Sequence, residues 1–195
     1  MWVYLETERL VLRRFTAGDV DLLCDLDGDP EVMRFLTGGT PTPREEIERD
    51  YLPHWLAYYD RGDRYGFWAA IERSTGAFLG WFHFRPLSDA PDEKPELGYR
   101  LRRSAWGRGY GTEGARALIR KGFAELGVRR VVASTAAANI GSRRVMEKAG
   151  MRLVRTYRAT FPGLFNGEEQ EDVEYALSRD EWARREAGDA SCSTA

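Results

Sequence analysis

The residues best suited to chemistry lie in one run, Glu96-Leu97-Gly98-Tyr99-Arg100-Leu101-Arg102-Arg103-Ser104-Ala105-Trp106-Gly107-Arg108-Gly109-Tyr110-Gly111-Thr112-Glu113. It reads as a strand, a glycine-rich turn and the start of a helix. Ala115, Leu118, Ile119, Phe123 and Leu126 then fall on one helical face, and Gly127 stands where a helix C-terminal glycine belongs. A strand that feeds such a turn makes an anion site. The first N–H groups of the helix lack intrahelical acceptors, and the positive end of the helix dipole points the same way. Gly107, Gly109 and Gly111 let a ligand approach the backbone closely. The plainer alternative is that these glycines only make a tight connection.

Two glycine motifs test which anion is meant. Gly109-Tyr110-Gly111-Thr112-Glu113-Gly114 matches G-x-G-x-x-G literally. A dinucleotide fold also needs an acidic residue at the end of the next strand, where this chain has Ala133-Ser134-Thr135-Ala136. A P-loop needs Gly-Lys-Ser/Thr before its helix, where this chain has Arg108-Gly109-Tyr110. A nicotinamide dinucleotide is disfavoured, and an NTPase is excluded.

The elements that must position this run come from the rest of the chain. At 195 residues, 43% hydrophobic and 31% charged, one globular domain is expected. The domain should cover residues 1–186, with 187–195 as a flexible tail. No apolar run approaches the ~20 residues of a membrane span. The acidic N-terminal stretch is unlike a signal peptide, and Cys24 and Cys192 read as two reduced thiols in a cytoplasmic protein. His54 and His83 are the only histidines, so no metal site is expected. The net charge of −2 calls for no nucleic-acid partner.

Leu10 to Phe15 reads as a strand, with Thr16 and Asp19 as a capping box for the helix after it. Thr42-Pro43-Arg44-Glu45 opens a second helix with Thr42 as N-cap and a kink at Pro53. Strands follow at Tyr65 to Ile71 and at Phe78 to Phe84, with Gly80 at a bulge. After the central run come a strand at Val128 to Thr135, a short helix closed by Gly150, and strands at Met151 to Thr160 and Asp172 to Ser178. A helical turn at Arg179 to Arg185 ends the pattern. The order β-α-α-β-β-β-α-β-α-β-β contains one parallel crossover, from Glu96 to Thr135. The expected class is α+β, a mixed sheet rather than a doubly wound one.

Gly98-Tyr99 followed by Trp106 to Glu113 resembles the acetyl-CoA pyrophosphate loop of the GNAT N-acetyltransferases. More narrowly it resembles the branch containing the ribosomal-protein N-terminal (alanine) acetyltransferases. Leu5 to Arg13 is similar to that branch's opening, Asn139 to Met151 to its second CoA segment, and Asp172 to Trp182 to its closing strand and turn. The resemblance implies a GNAT-like, mostly antiparallel sheet with helices on both faces. It also implies acetyl-CoA as cosubstrate and an amine acceptor, either a small molecule or a protein N-terminus. A homodimer is left open.

The resemblance also assigns roles. Main-chain groups around Leu101 and Arg102 would pair with the pantetheine arm. Backbone N–H groups of Gly107, Arg108, Gly109, Tyr110, Gly111 and Thr112 would hold the pyrophosphate. Asn139 would hydrogen-bond the arm, Ser142 would lie near the sulfur and protonate the leaving thiolate, and an N–H of the Arg100 to Arg102 region would support the oxyanion. The competing role for Ser142 is a helix cap. Direct attack needs a neutral amine and hence a base, with Glu96 the first candidate and Glu171, Asp172 and Glu174 behind it. The chain departs from the family at Trp106, often Gln or Arg elsewhere. It departs again at Arg155 to Phe161, which lacks a carboxylate that some ribosomal-protein enzymes place there. A non-catalytic acyl-CoA-binding or sensing module is the reading from another class.

Overall fold

A computed structural model describes residues 2–87, 94–160 and 169–192. Most of the Pro86 to Pro95 loop and of the Pro162 to Gln170 loop lies outside the described residues.

The strands are β1 (Val3–Glu6), β2 (Leu10–Arg14), β3 (Gly66–Glu72), β4 (Phe78–Pro86), β5 (Pro95–Leu101), β6 (Arg130–Ala136), β7 (Arg152–Thr160) and β8 (Glu169–Ser178). They form one eight-stranded sheet in the order β1-β2-β3-β4-β5-β6-β8-β7. Among the described residues only β5 and β6 run parallel; every other neighbouring pair is antiparallel. The α+β expectation holds, and the single parallel step is the crossover through α5 (Tyr110–Ala124).

The period-2 alternation of the central strands sends apolar side chains to both faces. Phe82, Phe84, Leu97 and Leu101 pack with Ala115, Leu118, Ile119 and Phe123 of α5 and Met146 of α6 (Ile140–Lys148). On the opposite face Phe67, Ala69, Phe78 and Trp81 meet Leu23 and Leu26 of α1 (Val20–Asp27), Val32 of α2 (Pro30–Met33), Ile47, and Leu52 and Trp55 of α4 (Leu52–Ala57). Helices therefore cover both faces, and any space between β5 and β6 is bounded by different elements on each side. No helix among the described residues is long and apolar enough to cross a membrane.

Local signals explain most boundaries. The Thr16 N–H donates to Asp19 Oδ2 at 2.8 Å, which is one half of the expected capping box. The register between β3 and β4 shifts between Ala70↔Gly80 and Ile71↔Phe78, where a bulge was expected.

Three features differ from the expectation. β1 was not expected, because its four residues carry too short a pattern to read; it forms by pairing with β2 across the Thr7–Arg9 turn. In the second helix Pro43, not Thr42, is the N-cap of α3 (Arg44–Glu46). The expected kink is there a wide turn over Ile47–Tyr51, closed by the Leu52 N–H on the Ile47 carbonyl just before Pro53. Proline has no N–H to donate and its ring crowds the preceding turn, so widening that turn relieves both problems. Finally α7 runs over Arg179–Cys192, so the helix continues through most of the stretch read as a tail.

Candidate functional site

Strand β5 is paired along its whole length with β4, from Pro95↔Pro86 to Leu101↔Gly80. With β6 it shares only the pair Glu96↔Val132. Beyond Glu96 the two strands part, and the β6-facing edge of β5 is left without a strand partner. The Arg102 N–H donates to the Leu79 carbonyl at 2.8 Å, toward β4. Backbone groups alternate along a strand, so the amides of Tyr99 and Leu101 turn toward the gap while those of Arg100 and Arg102 turn away.

This corrects the expectation for Arg102. Its N–H is used by Leu79, its carbonyl accepts from Ala105 N at 2.9 Å, and its guanidinium lies over Phe78 and 3.5 Å from Asp25. The chain leaves the strand at Arg102 for the Arg103–Ala105 turn, which takes that residue away from the gap. Leu101 does face the gap, but its carbonyl accepts the indole N–H of Trp106 at 2.8 Å. Of Arg100 to Arg102, where an oxyanion donor was expected, only Leu101 turns its amide toward the gap, and Tyr99 shares that direction.

The glycine turn follows. Gly107 and Gly109 have φ of 71° and 86°, and α5 begins at Tyr110 directly after Gly109. The N–H groups of Tyr110, Gly111 and Thr112 form the first helical turn and have no intrahelical acceptor. The turn is tied down from behind. Glu113 accepts from Thr7 Oγ1 at 2.6 Å, Arg9 N at 2.9 Å and Arg9 Nε at 2.7 Å. Burial raises the Glu113 pKa, but these hydrogen bonds outweigh it and hold the carboxyl below its ordinary value. Arg9 Nη1 also donates to the Arg108 carbonyl at 2.9 Å. The guanidinium groups of Arg9 and Arg108 lie 4.6 and 5.0 Å from the Tyr110 ring, whose hydroxyl donates to Glu72. The turn is thus preorganised.

A β-branched side chain at Gly109 would have to adopt a left-handed backbone conformation that costs about 1–2 kcal/mol or more. Gly109→Val should weaken CoA binding by roughly tenfold, as read by calorimetric titration.

Across the gap, Asn139 is the N-cap of α6. Its Oδ1 accepts from Ser142 N at 3.1 Å, and its Nδ2 donates to Thr135 Oγ1 at 3.2 Å. Asn139 therefore does the capping, and Ser142 lies inside the helix with its hydroxyl free of that duty. The Ser142 Oγ is 2.9 Å from the Tyr99 hydroxyl, which is also 3.0 Å from the Ser142 carbonyl. Burial pushes the Tyr99 phenol well above its ordinary pKa, so it stays protonated. This pair bridges β5 and α6 on the α5/α6 face. Sequence reasoning passed over Tyr99, although its place inside the Gly98-Tyr99 motif was the available signal.

Glu96, Gly98 and Arg100 point to the opposite face. Arg100 Nη1 is 2.5 Å from the buried Asp27 Oδ2 of α1. Glu96 Oε2 is 2.7 Å from Arg85 Nη2 and 3.4 Å from His83 Nε2. Burial raises the Glu96 pKa, but the His83 contact and the Arg85 charge reverse this and keep it ionised below its ordinary value. Of the weaker carboxylates, Glu174 is paired with Arg155 at 2.7 Å. Asp172 is buried and raised by that burial. Glu171 borders a cleft of about 430 Å³ with Arg34, Phe35 and Ala136 to Ala138.

The gap and the turn together suit a long ligand with an anionic end. The first turn of α5 can take a pyrophosphate, and the open β5 edge can take an amide-bearing arm as if it were a strand.

Comparison with known proteins agrees. A family model described as an acetyltransferase (GNAT) domain matches residues 9–152. The FsC-acetyl coenzyme A-N(2)-transacetylase of Aspergillus fumigatus is 32% identical over 187 residues, covering 92% of this chain and 78% of that protein. The crystal structure of a GNAT-family acetyltransferase from Bacillus anthracis superposes with a TM-score of 0.76 at 24% identity, over 92% of this chain and 99% of that one. RimL, a ribosomal L7/L12 alpha-N-protein acetyltransferase in complex with coenzyme A, gives 0.74 at 20% identity, over 90% and 97%. The parted strands, the preorganised turn and the matched residues place this chain in the GNAT acetyltransferase family, whose members use acetyl-CoA to acetylate an amine.

Proposed function

We propose that this protein transfers the acetyl group of acetyl-CoA to a primary amine, on a small molecule or at a protein N-terminus, by direct attack of the amine on the thioester. The observation that carries the reading is the parting of β5 and β6 beyond Glu96↔Val132, beside the free N-terminus of α5. Acetyl-CoA supplies the electrophilic thioester; the remaining functions belong to side chains and amides of this chain.

The N–H groups of Tyr110, Gly111 and Thr112 bind the pyrophosphate, and Gly107, Arg108 and Gly109 shape the turn that presents them. The Leu101 amide lines the arm. The Tyr99 N–H, nearer the point where the strands part, faces the thioester oxygen and stabilises negative charge there. Asn139 holds α6 so that the Ser142 hydroxyl faces the sulfur, and Ser142 gives the departing thiolate its proton. Glu96, ionised on the opposite face, draws the cationic amine toward the gap.

The test is thiol release from acetyl-CoA with a panel of amines: spermine, phenethylamine, and peptides beginning with alanine and with serine. Thiol release above the uncatalysed rate with at least one amine is expected. Tight CoA binding with no turnover of any amine would instead favour the non-catalytic acyl-CoA-binding module.

A further inference from the structure

We infer that His83 is the proton acceptor for the attacking amine, with Glu96 as the carboxylate that stabilises the imidazolium formed. The inference rests on the acetyl-transfer reading above and assigns it a residue that neither the glycine motif nor the family resemblance pointed to.

Four observations carry it. First, His83 is nine-tenths buried, yet neither ring nitrogen has a hydrogen-bond partner of ordinary geometry. A buried polar atom left unpaired costs about 1–3 kcal/mol, so one that persists calls for an explanation. Second, Nε2 lies 3.4 Å from Glu96 Oε2, close enough for the carboxylate to stabilise a proton gained there, and that carboxylate is itself fixed by Arg85. A nearby opposite charge favours the charged form of a titrating group, so this carboxylate makes the imidazole a better acceptor.

Third, His83 pairs across the strands with Gly98, and the imidazole occupies the space a β5 side chain would fill. A Cβ on Gly98 would lie 2.4 Å from Cε1 and 2.5 Å from Nε2. The Cε1–Nε2 edge therefore reaches over β5 toward the gap, two residues past the point where the strands part. Fourth, the ring is held from behind by Trp81, with centroids 5.7 Å apart, and by Phe67 at 5.1 Å.

The charges around it are Glu96 and Arg100 on β5, Arg85 on β4, and Asp27 of α1 behind Arg100; Phe67 of β3 is apolar, and the next histidine, His54 of α4, stands beyond Phe67. Burial, the largest influence, lowers the His83 pKa, the Glu96 contact raises it, and the two arginines lower it. The net direction is downward, so the imidazole is neutral and able to accept at neutral pH.

The step balances. The ammonium of the acceptor gives one proton to Nε2, and the imidazolium that forms faces the Glu96 carboxylate. The neutral amine forms the N–C bond, the C–S bond breaks, the thiolate takes its proton from Ser142, and the nitrogen releases its second proton to solvent. His83 then returns its proton to solvent, and Ser142 is reprotonated from solvent.

Two readouts test the assignment. The first is kcat/KM for the best amine of the panel, followed between about pH 5 and pH 9 in the wild type, His83→Gln and Glu96→Gln. Below the imidazole pKa the wild-type value should fall about tenfold per pH unit as the base becomes protonated. His83→Gln should lose that limb and about 100-fold in kcat, with KM for acetyl-CoA unchanged. Glu96→Gln should keep the limb but move it to lower pH, because the imidazolium loses its counter-charge.

The second readout is an NMR titration of the His83 imidazole in His54→Gln protein with CoA bound, which does not depend on how His83→Gln folds. Its midpoint should coincide with the acid limb. A limb that survives in His83→Gln, a limb abolished only by Glu96→Gln, or an imidazole that does not titrate across it overturns the assignment while leaving acetyl transfer intact. Absence of turnover by the wild type overturns the acetyl-transfer reading itself.

Discussion

Ser142→Ala should lower kcat about 100-fold and leave CoA affinity within about twofold, the effect expected if the proposed proton donor is removed from the transition state. The structure separates this chemical role from a structural one. Asn139 caps α6, so the serine hydroxyl is not needed to start the helix. Alanine suits a helix interior at least as well as serine. The Tyr99 hydroxyl keeps a partner after the change, because it is also 3.0 Å from the Ser142 carbonyl. Folding and the β5–α6 bridge should therefore survive, and the loss should fall on the step that needs a proton at sulfur. Tyr99→Phe should cost less, since it removes the hydroxyl that positions Ser142 but leaves the donor in place. Steady-state kinetics with calorimetric CoA titration checks both; an unchanged kcat for Ser142→Ala would mean that water protonates the thiolate.

Arg100→Ala destabilises the fold by about 3–5 kcal/mol, because it strands a carboxylate in the core. Asp27 is 1% exposed, and its Oδ2 takes the Arg100 Nη1 at 2.5 Å with Thr42 Oγ1 at 3.5 Å. Among the described residues its Oδ1 has no hydrogen-bond partner to compensate for losing the guanidinium. The arginine also packs over the Trp81 ring, 5.1 Å from its centroid, and alanine gives that up as well. For a chain of this length the melting temperature should fall by roughly 6–20 °C. Replacing both partners with apolar residues, as in Arg100→Met with Asp27→Leu, removes the unpaired charge and should recover most of the loss. If the double variant were no more stable than Arg100→Ala, the pair would matter for something other than charge compensation.

What the sequence showed and hid follows from how local each determinant is. The glycine turn and the helix after it were readable because a helix period and a left-handed glycine are properties of a few consecutive residues. The same holds for Thr16 with Asp19, three positions apart. The direction of the β5 amides was not readable. It depends on the Arg102 N–H reaching Leu79, a pairing between residues far apart in sequence. The place of His83 over Gly98 was hidden too, because only the β4–β5 register brings the two together. The wide turn before Pro53 was legible as trouble, since proline cannot continue a helix ladder, though not in the form it took.

The most direct test of the central claim is mass analysis of the intact protein and of the amine after mixing with isotopically labelled acetyl-CoA. Direct transfer across the gap predicts the label as an amide on the acceptor, with no labelled protein when the acceptor is omitted. A stoichiometric acetyl group on the protein in the absence of amine, passed on when amine is added, would contradict it.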